Sequence, residues 1–132
     1  MATLRLVVVI VWASPASALG LLAGLLGLAT GSRVRRRGRT LECWGGAVTW
    51  MLTHVPPVRG AAAVTLGHII LGLDRDALDA TRDHELVHVA QYERWGPAFL
   101  PAYGICSLAL WLAGRSPYWD NPFEREAYRQ AP

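Results

Sequence analysis

Asp74-Arg75-Asp76-Ala77-Leu78-Asp79-Ala80-Thr81-Arg82-Asp83-His84-Glu85-Leu86-Val87-His88 is the stretch whose reading decides this fold. It opens with acids, which favour a helix N-terminus because they offset the positive end of the helix dipole. Asp74 or Asp76 suits the cap. Gly96-Pro97 supplies the stop. The pattern predicts one helix from about residue 75 to about residue 95. On that helix His84 and His88 stand at i and i+4, on one face and about 6 Å apart. Two imidazoles so placed can grip a single cation. Glu85 adjoins the first of them, near the cation without binding it, where a carboxylate can take a proton from a bound water. H-E-x-x-H is therefore a hydrolytic pattern as well as a metal-binding one. The bland alternative is a surface helix that happens to carry two histidines.

Catalytic zinc sites usually combine three protein ligands with one open position. No histidine follows His88, and the donors downstream are Glu93, Asp120, Glu124 and Glu126. Glu93 shares the helix but points away from the histidine face. Asp120-Asn121-Pro122-Phe123-Glu124-Arg125-Glu126-Ala127-Tyr128 reads as a second, short helix, with Pro122 in its first turn and Asp120 or Asn121 as cap. Glu124 and Glu126 then face about 200° apart, so only one of them can reach the cation.

HELVH at 84–88 followed by Gln91, with Glu124-Arg125-Glu126-Ala127 on a later helix, resembles the gluzincin metallopeptidases. That group includes thermolysin-like enzymes and integral-membrane CAAX-prenyl and heat-shock proteases. The H-E-x-x-H-x-x-Q form is also similar to small bacterial zincin domains of unassigned role. The resemblance covers roughly residues 64 to 128. It implies a Zn²⁺ ion held by His84, His88 and Glu124, the last through the E-x-x-A pattern ending at Ala127, with Glu85 as general base. The families often put an aspartate after the small residue to hold a histidine ligand; this chain has Tyr128 there.

Asp83 and Gln91 are candidates to orient the ligands from behind. His68 lies in a β-branched run, where it can serve an oxyanion or simply the structure; His54, before Val55-Pro56-Pro57, reads as structural. Tyr103, Tyr118 and Tyr128 are possible donors to a reacting group.

Leu6 to Ser32 carries no charged side chain, long enough to cross a bilayer once with tilt. Pro15 allows three readings: one kinked span, a re-entrant hairpin, or a signal peptide cleaved after Ala16-Ser17-Ala18. The apolar run continues past that point, which favours a membrane segment. Gly20, Gly24, Gly27 and Gly31 form a small-residue stripe suited to close packing. Arg33, Arg35, Arg36, Arg37 and Arg39 follow, marking a cytoplasmic side and suiting anionic lipid. Outside this cluster positive and negative charges nearly balance, and no nucleic-acid motif is present, so nucleic acid is not an expected partner. Two cysteines, Cys43 and Cys106, offer neither a zinc knuckle nor a disulfide framework.

A second uncharged run spans Gly96 to Gly114. A full crossing there would put Glu124 roughly 30 Å from the histidines. The run should instead lie against the metal helix as a core or interfacial helix, or turn back within the membrane. Between these segments, Thr40 to Trp44 with Ala47 to Leu52, and Val64 to Leu71, are the strand candidates, joined through a loop at Val55 to Gly60.

The sequence thus predicts an α+β chain. Residues 1–39 form a hydrophobic membrane segment plus Arg cluster. Residues 40–132 form a zincin-like domain of short antiparallel strands, metal helix, apolar helix and ligand helix. The expected function is membrane-associated, zinc-dependent peptide hydrolysis on a peptide or protein substrate, with the metal domain facing the cytoplasm. The alternatives are a non-catalytic zincin-like protein that binds metal or a partner, and a small membrane structural protein. Substrate and oligomeric state stay open.

Overall fold

The computed structural model describes residues 1–56 and 58–131. Five α-helices and four strands follow in the order α1 (Ala2–Leu28), β1 (Arg33–Arg37), β2 (Thr40–Trp44), α2 (Gly46–His54), β3 (Ala63–Leu66), β4 (Ile69–Gly72), α3 (Arg75–Trp95), α4 (Phe99–Leu112) and α5 (Pro122–Gln130). A single 3₁₀ turn, Gly96–Ala98, joins α3 to α4. The fold is α+β. Its sheet has the order β1-β2-β4-β3 and is mixed: β1 with β2 and β3 with β4 are antiparallel, while β2 and β4 run parallel.

The alternation of a strand sends successive side chains to opposite faces. Ile69 and Leu71 of β4 accordingly join Cys43, Val48 and Leu52 on the side covered by α1 and α2. Ile70 points the other way and packs with Leu78 and Val89 of α3. Beyond the sheet, Ala13 and Ala16 of α1 meet Tyr92, Phe99 and Phe123, where α3, α4 and α5 come together.

Helix α1 is unbroken, so the two-armed hairpin does not form. Pro15 cannot donate to Val11 O, and the Ser14 hydroxyl donates to that carbonyl instead, at 2.7 Å. The small-residue stripe packs α1 onto the sheet. A Cβ at Gly20 would sit 2.6 Å from Ile69 Cβ, and one at Gly24 3.2 Å from Cys43 Sγ. The opposite face exposes Leu19, Leu22, Leu25 and Leu26.

Three expectations about the sheet need correction. Ala47 to Leu52 is helical, because Gly45 and Gly46 turn the chain at positive φ and Val48 and Leu52 then bury one helical face. Val64 to Leu71 is two strands. Gly67, at φ +64°, turns them over where Ala13 O and Ser17 of α1 leave no room for a side chain. The sheet is not purely antiparallel, since α2 and its loop carry the chain back to run β4 alongside β2.

The arginine cluster also behaves differently from a free basic patch. Arg33–Arg37 is edge strand β1. Arg35 and Arg37 pair with Asp79 at 2.8 and 2.9 Å, and with Arg82 they surround the wholly buried Glu42 at 3.3 to 3.6 Å. Arg39 pairs with Glu93.

Two helical stretches, Ala2–Leu28 and Arg75–Leu112, are long and apolar enough by length and composition to cross a membrane. The second bends at Gly96, whose φ is +56°. Trp12 of α1 lies over that bend, in the space a side chain at 96 would need.

Candidate metal centre

Helix α3 starts where expected, with the Asp74 carboxylate accepting from Ala77 N at 2.7 Å. Helix α5 is capped by Asn121, whose carbonyl accepts from Phe123 N at 3.0 Å while its amide donates to Ser107 Oγ at 2.9 Å. Asn121 therefore both begins α5 and ties it to α4. Gln91 then fastens α5 to α3, donating to Phe123 O at 3.0 Å and to Glu126 Oε1 at 2.8 Å. The Phe123 ring fills the gap between Trp95, Phe99 and Tyr103.

These fixings bring three donor atoms together. Glu124 Oε2 lies 3.0 Å from His84 Nε2 and 3.2 Å from His88 Nε2, and the two imidazole nitrogens are 3.2 Å apart. Donors bonded at about 2.0–2.1 Å to one tetrahedral ion stand about 3.3 Å from each other. The spacing and the nitrogen–oxygen donor set fit a divalent cation, so His84, His88 and Glu124 can hold a metal ion. The apolar run between α3 and α5 does not separate the ligands, as the sequence argument required.

The surroundings prepare these atoms. Both amide hydrogens of Gln91 have acceptors, so its oxygen must face His88 Nδ1, at 2.8 Å. His88 therefore carries a hydrogen on Nδ1 and turns Nε2 to the centre, the atom that could bind a cation once free of its proton. Glu124 Oε1 accepts from the Tyr103 hydroxyl at 3.0 Å, leaving Oε2 for the histidines. Burial raises the Glu124 pKa, but the hydrogen bonds from His84, His88 and Tyr103 outweigh it and bring the carboxyl down to about 2. It is ionised at neutral pH, as a ligand must be. Burial disfavours charge on His88, but the Glu124 carboxylate overrides this and the net direction is up.

His84 is placed by packing. Its Nδ1 is buried without a hydrogen-bond partner among the described residues, and the Tyr128 ring lies over it at 4.4 Å between centroids. Asp83 is exposed and makes no hydrogen bond to either histidine among the described residues. Tyr128 in turn meets Tyr118, hydroxyl to hydroxyl, at 2.9 Å. Glu126 is turned away and pairs with Arg94 at 3.0 Å.

Glu85 is buried beside the triad, and its Oε2 accepts from Thr65 Oγ1 at 2.5 Å. Burial pushes its carboxyl up, against the pull of His88 and of Thr65. Thr65 gives one signal in the sequence, a hydroxyl in an otherwise apolar strand. Tyr103 gives none as a partner of Glu124, because nothing in the sequence says which way α4 faces. His68 sits in the β3–β4 turn. Its ring lies 3.5 Å from Glu93 and its backbone donates to Ser17, so its partners are not those of the triad. His54 stacks on Trp50 at the surface.

Comparison with protein families, with curated proteins and with solved structures finds no match to this chain. Its chemistry is therefore argued from the site alone: a three-donor cation cradle with a buried carboxylate next to it.

Proposed function

We propose that the protein is a membrane-associated zinc metallopeptidase of gluzincin type, with a zincin-like core formed by the sheet, α3, α4 and α5. The observation that carries this is the return of Glu124, distant by 40 residues from His84, onto the H-E-x-x-H pair. A surface helix with two chance histidines gives no reason for such a return. His84, His88 and Glu124, which can hold a metal ion, would hold Zn²⁺. When bound, zinc brings the pKa of water to about 7 and polarises a carbonyl.

The chain's own groups do the rest. Glu85 takes the proton of the attacking water and delivers it to the leaving amine. Thr65 holds one oxygen of Glu85, leaving the other as the base. Gln91 and Tyr103 keep His88 Nε2 and a charged oxygen of Glu124 aimed inward. β3 is an edge strand along α3, where a substrate backbone can add as a further strand. α1 anchors the protein in the bilayer, and the arginines after it put the metal domain on the cytoplasmic side.

One observation favours a second reading, metal binding without cleavage: Glu85 is only 5% exposed and already hydrogen-bonded. One experiment separates the two. Purified protein should hold one zinc per chain and cleave members of a peptide library. Glu85→Gln should keep the zinc and lose about 10² to 10⁴ in rate. Full-rate cleavage by Glu85→Gln would overturn the mechanism. Zinc without cleavage in the wild type would establish the second reading.

A further inference from the structure

Helix α4 is built inside out. Its inner face carries its hydrogen-bonding groups: the Tyr103 hydroxyl reaches Glu124, and Ser107 donates to Pro117 O and accepts from Asn121. Its outer face is apolar and open, with Ile105 68%, Leu108 56% and Leu112 72% exposed. No charge occurs from Gly96 to Gly114. A helix on the water-facing surface of a globular protein has the reverse pattern, polar outside and apolar within. Of the α4 side chains only Phe99 is fully buried, so α4 is not the core helix that one reading of the sequence expected.

Three observations identify what covers the outer face. The first is continuity: α1 likewise turns large apolar residues outward, with small ones against the protein, and it touches the 3₁₀ turn from which α4 starts. The second is the ends. Arg94-Trp95 precedes α4 and Trp111 with Arg115 closes it, the residue types that settle at head-group depth. The third is length. Fourteen residues give about 21 Å, short of the roughly 30 Å of a hydrocarbon core, and the chain then turns back to place Glu124.

We propose that the outer face of α4 is seated in lipid, so that the folded domain rests against the bilayer and does not merely hang from α1. Taken with the metallopeptidase reading, on which this part rests, Tyr103 on the inner face puts the metal centre within about one helix diameter, ~10 Å, of the lipid. The substrate class is then a polypeptide cut close to where it leaves the membrane.

The test uses the full chain in phosphatidylcholine–phosphatidylglycerol vesicles, with Cys106→Ala as background, in which the remaining native thiol, Cys43, is buried. Nitroxide labels are placed singly at Ile105→Cys, Leu108→Cys and Leu112→Cys, and at Arg125→Cys on the exposed side of α5 as reference. Spin relaxation by oxygen, which concentrates in lipid, is compared with relaxation by a water-soluble nickel chelate. Labels at 105, 108 and 112 should collide with oxygen several times more than with the chelate, and the label at 125 the reverse. Chelate access at all four positions would overturn the proposal, as would protection of the α4 labels from both reagents, which would mean a protein partner or a second copy. Neither reagent reports on zinc or hydrolysis. Lipid-seated labels on a chain that holds no zinc would support the seating and defeat the metallopeptidase reading instead.

Discussion

Glu124 is the residue on which the site turns, and its neighbours show how a short chain holds a ligand still. One oxygen faces the histidines and the other accepts from Tyr103. Gln91 fixes His88 from behind and pins α5 through Phe123 and Glu126. Such supporting groups typically contribute 10- to 100-fold in metal affinity. Tyr103→Phe and Gln91→Ala should each weaken zinc binding by about that factor. Glu124→Ala should weaken it further, whereas Glu126→Ala should cost less than Glu124→Ala, since the Glu126 carboxylate bonds to Gln91 and Arg94 and to neither histidine among the described residues. Competition with a chelating dye measures all four. An Glu126→Ala loss larger than that of Glu124→Ala would move the ligand. That His84 and His88 share a face was legible from spacing on one helix, and the approach of Glu124 from the resemblance; Gln91 was one of two candidates to support them, and the other, Asp83, is exposed. Tyr103 and Thr65 were not, because their roles depend on how separate elements meet, which no local pattern encodes.

Among the elements, helix α3 was legible from its Asp74 cap to its Gly96 stop, and α5 from Asn121-Pro122. The sheet was read less well. Its segments are only four or five residues long, and periodicity over such lengths does not separate strand from helix. What decided Gly46–His54 and the β3–β4 turn was room beside α1, a contact across the fold. That contact is also a test of the α1 seating. Gly20 has Ile69 where a side chain would go, so Gly20→Leu forces the helix off the sheet. Overpacking of this kind costs about 1–3 kcal/mol, against a possible gain of helix propensity of under about 1 kcal/mol. A lowered unfolding midpoint in detergent is the expected result. An unchanged midpoint would show that α1 does not pack there.

For the molecule as a whole, α1 is part of the fold. Ala13 and Ala16 are buried against Tyr92, Phe99 and Phe123, and Ser17 accepts from the backbone of His68. Cleavage after Ala18 would remove all three. Deletion of residues 2–18 should therefore reduce stability and, through Phe99 and Phe123, weaken zinc binding as well; a deletion variant with unchanged melting and zinc affinity would free α1 from this role.

The strand Arg33–Arg37 lies at one rim of the sheet, opposite β3 at the other. An open rim is a template for another chain, and proteins guard it with charge. Arg33 and Arg36 are exposed on β1 and make no salt bridge among the described residues, so two copies meeting rim to rim there would press like charges together. Such molecules are kept from zipping into fibres along that side. The β3 rim has no such guard in its sequence, Ala63-Val64-Thr65-Leu66, and it is the side along which α3 runs. One rim of this small sheet is thus closed to a further strand by charge, and the other is left open.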